Sequence, residues 1–167
     1  MVFAQPVRRS IRLPGFDYSS NNFYFVTICV QDRECLLGKI VNDDMYLLPF
    51  GHIVNKFITS IPDHYPGIYV DVFQIMPNHI HVITALESHG RTRGSAPTLG
   101  TIVQRFKTMT THNYLEGMEI HGWKSFNKKL WQRDYYEHVI RDEKDLNRIR
   151  EYIQNNVVNW HKDKLHS

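Results

Sequence analysis

The order of apolar and polar residues begins with a strongly strand-like segment. Residues 23–30 (FYFVTICV) are aromatic, aliphatic or β-branched almost throughout, which predicts a central strand buried on both faces. Two short apolar runs within residues 35–48 flank the turn-forming sequence NDD and predict a β-hairpin. Residues 68–76 and 79–86 predict two further strands with a tight connection between them.

Three segments have helical periodicity, one between the predicted strands and two after residue 86. The first has apolar residues at helical spacing over 53–61 and is expected to end at Pro62. The second begins after Thr98, a plausible N-cap, and is expected to run to about Glu116. The third begins after Asp142, whose side chain is expected to cap the start of the helix. Its predicted apolar stripe is Leu146, Ile149, Ile153, Val157 and Trp160.

A last strand is expected over residues 135–140, between the second and third helices. The element order is then strand, hairpin, helix, two strands, helix, strand, helix. This order predicts an α+β domain, in which helices pack on one face of a mainly antiparallel sheet.

Length and composition limit the class of protein. A chain of 167 residues fits one domain, 1–167, with an N-terminal arm over 1–21 and a polar, Gly-rich mobile loop over 87–97. No run of ~20 apolar residues predicts a membrane span, and no apolar stretch of a secretory signal follows the first arginines. Cys29 and Cys35 have no zinc-site spacing, so we expect reduced thiols in a cytoplasm.

Positive charge is concentrated in one part of the chain. The net charge is only +3, but residues 89–135 hold eight basic and three acidic residues. Such a stretch suits a polyanion partner, although a solvated surface would have the same composition. The candidate contacts to nucleic acid are Arg8, Arg9, Arg12, Arg91, Arg93, Arg105, Lys107, Lys128, Lys129, Trp131 and Arg133. The interleaved aromatic residues that could stack on bases, or pack in the core, are Trp123, Phe126, Trp131, Tyr135 and Tyr136.

The segment MPNHIHV contains the first candidate for chemistry. In a strand, His79 and His81 point to one face, while Ile80 and Val82 point to the other. Two neutral imidazoles at this spacing can hold one divalent cation together with a third ligand from elsewhere. The alternative is a pair of surface histidines on an exposed face of the sheet.

The last predicted helix contains the second candidate. Tyr152 and Asn156 are four residues apart and therefore lie on the same side of the helix, beside its apolar stripe. A tyrosine at such an edge ordinarily packs with its hydroxyl hydrogen-bonded. Next to a metal site, the same phenol could act as a nucleophile.

Three segments together resemble a known family. They are RRSIRLPGFDYS, MPNHIHV and LWQRDYYEHVIRDEKDLNRIREYIQNN, and the resemblance runs from about Arg8 to Trp160. They are similar to REP-associated tyrosine transposases, within the HUH-type single-tyrosine transposases of insertion sequences. The resemblance implies an RRM-like or ferredoxin-like fold with the tyrosine on a C-terminal helix. It also implies cleavage and rejoining of single-stranded DNA near hairpin-forming repeats.

The resemblance implies roles for individual residues. Tyr152 would be the nucleophile that forms a 5′-phosphotyrosine intermediate, and His79, His81 and Asn156 would bind a divalent metal ion. The ion would be Mg²⁺ or Mn²⁺, and two imidazoles favour Mn²⁺. Relatives commonly have proline after the amide residue, whereas Val157 stands here, so the helix is expected to continue past Asn156.

The resemblance also implies partners and a location. Hairpin or single-stranded DNA would be the partner, without a membrane, in a bacterial cytoplasm and with the nucleoid when DNA is bound. Related transposases work as dimers or as monomers, so a homodimer is left open.

Three other readings are left open by the residues themselves. A histidine-triad hydrolase would need a third histidine where Ile83 stands. A non-catalytic RRM-like module would carry exposed aromatic residues after a Lys/Arg-Gly start, which FYFVTICV lacks. A domesticated relative would bind DNA without cutting it, although the intact His79, His81 and Tyr152 argue against this.

Overall fold

The computed structural model describes residues 22–86 and 97–166. A four-stranded sheet has the order β4-β5-β1-β6, and all of its neighbouring strands are antiparallel. Its strands are β1 (Asn22–Cys29), β4 (Ile68–Ile75), β5 (His79–Leu86) and β6 (Tyr136–Ile140). A separate two-stranded hairpin consists of β2 (Gly38–Val41) and β3 (Asp44–Leu47). The predicted α+β class and mainly antiparallel sheet are confirmed.

The helices lie between and after these strands. They are α1 (Pro49–Thr59), α2 (Ile61–His64), α3 (Leu99–His121) and α4 (Glu143–Asn155), with short 3-10 turns at Gln31–Arg33 and Trp160–Lys162. Over the described residues, none of the helices has both the length and the apolar composition that a membrane span requires.

Helices cover both faces of the sheet, which corrects the expectation of a single covered face. Alternate residues of β1 explain why. Val26 and Ile28 pack with α1 and α3 in one core, whereas Phe23 and Phe25 pack with α4 in a second core. A strand that is apolar on both sides needs a layer on each, so α4 takes the face that α1 and α3 leave free.

Three predicted helix boundaries change in the structure. The first helix ends at Thr59, and Pro62 instead stands in the first turn of α2, where its missing N–H costs nothing. The second helix runs past Glu116 to His121 and ends at Gly122, whose φ of 65° terminates it in the left-handed region. The last helix ends at Asn155 rather than continuing past Asn156.

The end of α4 changes the role of the residues after it. Val157 and Trp160 therefore lie outside the helix, contrary to the predicted stripe. We call residues 156–166, which follow α4, the post-helix segment.

The expectations for the arm (Arg8, Arg9 and Arg12) and for the loop (Arg91 and Arg93) fall on residues 1–21 and 87–96, outside the described residues.

Candidate functional site: a histidine pair, an aspartate and a tyrosine

The register of the sheet puts the histidines on the face covered by α4. His81 lies directly opposite Thr27 of β1, and Thr27 lies opposite Tyr136 of β6. Residues paired across a sheet point to the same face, so His81, Thr27 and Tyr136 form one row. His79 is two residues before His81 and shares this face, as the sequence predicts.

The two imidazoles converge on one point. Their Nε2 atoms lie 3.0 Å apart. The opposite ring nitrogens are held by protein groups: Nδ1 of His79 lies 2.8 Å from Oδ1 of Asn78, and Nδ1 of His81 lies 2.8 Å from Oγ1 of Thr27. The amide oxygen of Asn78 can only accept, so Nδ1 of His79 carries the proton and Nε2 of His79 is left as the ligand atom. A proton on Nδ1 of His81, donated to the Thr27 hydroxyl, leaves Nε2 of His81 as a ligand atom in the same way.

Burial keeps both histidines neutral. Burial lowers the pKa of His79 to about 4, with Asp163 opposing the shift and Arg33 reinforcing it. The pKa of His81 is also well below its ordinary value, first because of burial and then because of His79. Neutral imidazole is the form that binds a metal ion, so both rings are ready to act as ligands near pH 7.

Two buried side-chain oxygens have no hydrogen-bond partner among the described residues. They are Oδ1 of Asn156 and Oδ2 of Asp163. Oδ2 of Asp163 lies 3.6 Å from Nε2 of His79, and the ligand atoms of His79, His81 and Asp163 all lie within 4.8 Å of one another. Asn156 adjoins this cluster through the hydrogen bond of its side chain with Tyr152. Buried polar atoms are normally satisfied, so an unpartnered carboxylate oxygen beside two imidazole nitrogens fits a divalent cation.

The spacing of the nitrogens agrees with this assignment. Adjacent ligands of an octahedral ion, each ~2.1 Å from it, stand about 3 Å apart. In the tautomers that leave both Nε2 atoms unprotonated, their lone pairs face each other at 3.0 Å, and a cation bound to both would remove this repulsion.

The post-helix segment brings Asp163 to the histidines. Nδ2 of Asn78 donates to the carbonyl of Leu165 at 2.9 Å, and Arg33 donates to the carbonyl of Lys164 at 3.3 Å. The ring of Trp160 lies 5.9 Å from that of His79, centroid to centroid. The side chain of Asp163 is consequently only 5% exposed.

Tyr152 stands at the solvent edge of this cluster. Its hydroxyl lies 3.4 Å from Nε2 of His81, and its ring makes an edge contact with Phe25. The residue is 47% exposed, so a substrate can reach the phenol. Burial raises the pKa of Tyr152, Asp163 raises it further, and a hydrogen bond with the Asn156 side chain opposes both.

An ion pair fixes the helix that carries the tyrosine. Arg150 of α4 donates to both carboxylate oxygens of Asp71 on β4, at 2.7 and 2.9 Å. At the start of α4, the Asp142 side chain accepts from the backbone N–H of Asp145 at 2.8 Å, as its predicted N-cap role requires. The helix therefore has a defined position over β4.

The predicted DNA contacts are distributed over several surfaces. Arg105 is exposed on α3, which packs on the face opposite to Tyr152. Lys107 donates to the backbone carbonyls of residues 132–134 and thus supports the chain before β6. Lys128, Lys129 and Arg133 are exposed between α3 and β6.

Trp131 is a correction to the predicted DNA surface. It is 4% exposed, its Nε1–H donates to Oγ1 of Thr110 at 3.0 Å, and it packs against Phe106. A ring in this position cannot stack on a base. Among the interleaved aromatic residues, Trp123, Phe126 and Tyr135 are half-buried against the same core, whereas Tyr136 is 59% exposed.

Sequence reasoning missed three residues of the site. Asn78 directly precedes the histidine pair, and its place in a turn beside a ligand was an available signal. Thr27 and Asp163 had none, because their contacts depend on strand register and on the path of the chain after α4.

Comparison with known proteins places this chain in a family. The family described as "Transposase IS200 like" matches residues 19–156, which include both histidines, Tyr152 and Asn156. A Haemophilus influenzae protein described as uncharacterized is 41% identical, covering 95% of this chain and 93% of its own. A second protein of that species, named as a REP-associated tyrosine transposase, is 28% identical over 85% of this chain and 73% of its own.

Two solved structures share the fold. A REP-associated tyrosine transposase bound to a REP hairpin has a TM-score of 0.59 and 21% identity, over 86% of this chain and 70% of its own. A transposase from Deinococcus radiodurans has a TM-score of 0.53 and 14% identity, over 84% and 93%. The resemblance to REP-associated tyrosine transposases is confirmed, and the chain belongs to the IS200-like transposase family.

Proposed function

We propose that this transposase is a site-specific single-stranded DNA endonuclease and strand transferase of the HUH type, which cuts beside hairpin-forming repeats. The observation that carries the proposal is the position of the Tyr152 hydroxyl, 3.4 Å from Nε2 of His81 and open to solvent. A nucleophile beside a cluster of metal-ligand atoms is the arrangement that attack on a phosphodiester requires.

The reaction exchanges one phosphodiester bond for another. The Tyr152 oxygen forms a bond to phosphorus, the bond from phosphorus to the 3′ oxygen breaks, and the phenol proton is lost to solvent. The 3′ oxygen leaves and takes up a proton, which gives a free 3′-OH and a 5′-phosphotyrosine. Because the covalent bond conserves the phosphodiester energy, the reverse attack by a 3′-OH rejoins DNA without ATP.

The metal ligands that we assign are His79, His81, Asn156 and Asp163. A bound divalent cation would polarise the scissile phosphate and offset its negative charge. Two imidazoles with two oxygen donors suit Mn²⁺, and Mg²⁺ would bind less tightly. Around this point, Asn78 and Thr27 orient the imidazoles and the Phe25 ring positions the phenol.

Support for a hairpin partner comes from the relatives. One fold neighbour is described as bound to a REP hairpin, and one relative is named as REP-associated. We extend this partner to the present chain. The exposed cations Lys128, Lys129 and Arg133 are the described residues that we assign to phosphate contacts of the stem. The homodimer stays a prediction.

A trapped covalent adduct tests the function. Purified protein is mixed with Mn²⁺ and labelled hairpin oligonucleotides that carry randomised single-stranded flanks, and adducts are resolved on a denaturing gel. We expect an adduct with the wild type and none with Tyr152→Phe or His79→Ala. Tyr152→Phe should still bind the same DNA within a few-fold. An adduct that persists in Tyr152→Phe would overturn the assignment of the nucleophile.

A further inference from the structure

Helix α4 leaves part of its face of the sheet uncovered. The Arg150–Asp71 ion pair ties it to β4, on one side of the sheet, while β6 lies on the other side. A groove of about 1290 Å³ remains between α4 and the β1–β6 half. Its floor includes Phe25, Thr27, Cys29, Tyr136 and His138, and its wall includes Arg148, Glu151, Tyr152 and Asn155. The groove therefore leads directly to the candidate nucleophile.

We propose that Tyr136, on the floor of this groove, is a platform on which a base of the single-stranded DNA stacks. The inference rests on the proposed function and adds a substrate-positioning residue to it. The volume exceeds the ~300–1,000 Å³ of a pocket for a drug-sized ligand, so more than one nucleotide can be accommodated.

The width of the groove floor favours single-stranded over double-stranded DNA. Neighbouring strands lie about 4.8 Å apart, so a floor of two strands is roughly 10 Å wide. Such a floor accepts a single row of bases, and a hairpin stem would have to remain outside it. The stem and the flanking single strand would then bind to different parts of the surface.

Tyr136 is the residue on which we expect a base to stack. It lies on the row that also contains Thr27 and His81, and its ring makes an edge contact with Phe25 at 6.1 Å between centroids. The edge contact holds the ring in place, and 59% of the residue remains exposed. An aromatic ring fixed from below and open above is a stacking platform for an unpaired base.

Charges of both signs line the groove. Arg148, Lys162 and Lys164 line that side and are exposed, although Arg148 also donates to Asp145 at 2.6 Å. Three carboxylates also line the groove: Glu151 on the same side, Asp134 opposite, and Asp163 in the post-helix segment. The balance is close to neutral, so stacking rather than charge should supply the affinity, and the binding of this segment should depend only weakly on salt.

Binding without cleavage tests the groove. All proteins carry Tyr152→Phe and are measured in EDTA by fluorescence anisotropy, with two DNA hairpins of the same stem, one blunt and one with a single-stranded dT tail. We expect Tyr136→Ala to weaken binding of the tailed hairpin by roughly 5- to 150-fold and to leave the blunt hairpin unchanged. Tyr136→Phe should bind the tail as Tyr136 does.

A control and a contrary outcome make the test decisive. Tyr46→Ala, a half-buried tyrosine of the β2–β3 hairpin outside the groove, should bind both DNAs like its parent. Equal binding of the tailed DNA by Tyr136→Ala and its parent would overturn the proposal. Equal losses of affinity for tailed and blunt DNA would also overturn it. Because no cutting is involved, these results are independent of whether Tyr152 is the nucleophile.

Discussion

Oδ2 of Asp163 lies 3.6 Å from Nε2 of His79, and no donor among the described residues hydrogen-bonds to it. A carboxylate oxygen that is buried and unpaired is costly, so a cation at this point would relieve a real electrostatic penalty. The family match ends at residue 156, seven positions before this aspartate. The proposed ligand Asp163 therefore lies beyond the matched region.

Asp163→Asn should weaken Mn²⁺ binding at least tenfold. The amide keeps the shape and one oxygen donor of Asp163 but removes its charge, and ligand charge sets the affinity of such sites. Isothermal titration with MnCl₂ measures the change directly. Asp44→Asn, which removes an exposed carboxylate from β3, is the control and should titrate like the wild type. Equal affinities for Asp163→Asn and wild type would exclude Asp163 as a ligand.

Thr27→Val should lower Mn²⁺ affinity by about 10- to 100-fold, because it removes the group that orients His81 through Nδ1. Thr84→Val is a matched control. Thr84 is also buried in a strand, but its hydroxyl donates to the carbonyl of Tyr69, away from the histidines. We expect both variants to be less stable in urea and only Thr27→Val to lose metal affinity. Loss in both would indicate a general effect of destabilisation.

Removing one partner of the Arg150–Asp71 ion pair should destabilise the fold strongly, whereas replacing both partners with apolar residues should destabilise it much less. The side chains are only 13% and 4% exposed, so Arg150→Met removes both charge-assisted hydrogen bonds from a buried carboxylate, at about 3–5 kcal/mol. Arg150→Met combined with Asp71→Leu should recover most of that loss. Urea denaturation of the two single variants and the double variant gives the coupling energy. Strictly additive losses would show that the pair does not act as a unit.

The contribution of Asp145 to stability should disappear in acid. Hydrogen bonds from His138 and then Arg148 lower the pKa of Asp145 below its ordinary value of 3.8. A lowered pKa in the folded state adds stability that is complete above the unfolded pKa and is lost as the pH falls through the folded value. Asp145→Asn should therefore be less stable than wild type at pH 6, and the gap should narrow below about pH 4. Urea denaturation at pH 6, 5, 4 and 3 tests this, and a constant gap would contradict it.

Local patterns were sufficient to predict most of the fold and the shared faces of the central candidate residues. The strand periodicity of MPNHIHV predicted the shared face of His79 and His81, and the helical spacing of Tyr152 and Asn156 predicted their common side. Both rest on the period of one element, which the sequence contains in full. The same is true of the β2–β3 hairpin and of the caps at Thr98 and Asp142.

What could not be predicted depends on how elements meet. The prediction that helices cover only one face of the sheet was wrong, because the periodicity of α4 does not reveal which side of β1 the helix covers. Trp131 was assigned to DNA because its neighbours in the sequence are basic, whereas its position is set by Thr110 and Phe106 on α3. Asp163 was missed because α4 ends at Asn155 despite Val157, which allows the following residues to turn back to His79.

Consecutive residues of strand β1 point to opposite faces of the sheet and make different contacts there. Thr27 contacts His81 on one face, and Ile28 packs in the core with α1 and α3 on the other. Because side chains alternate with a period of two, inserting or deleting one residue in β1 would exchange these faces. An isoleucine would then stand where His81 needs a hydroxyl, and a hydroxyl would enter the core. Changes in the length of this strand would thus remove folding and chemistry together, so natural variation in chain length should be confined to the loops.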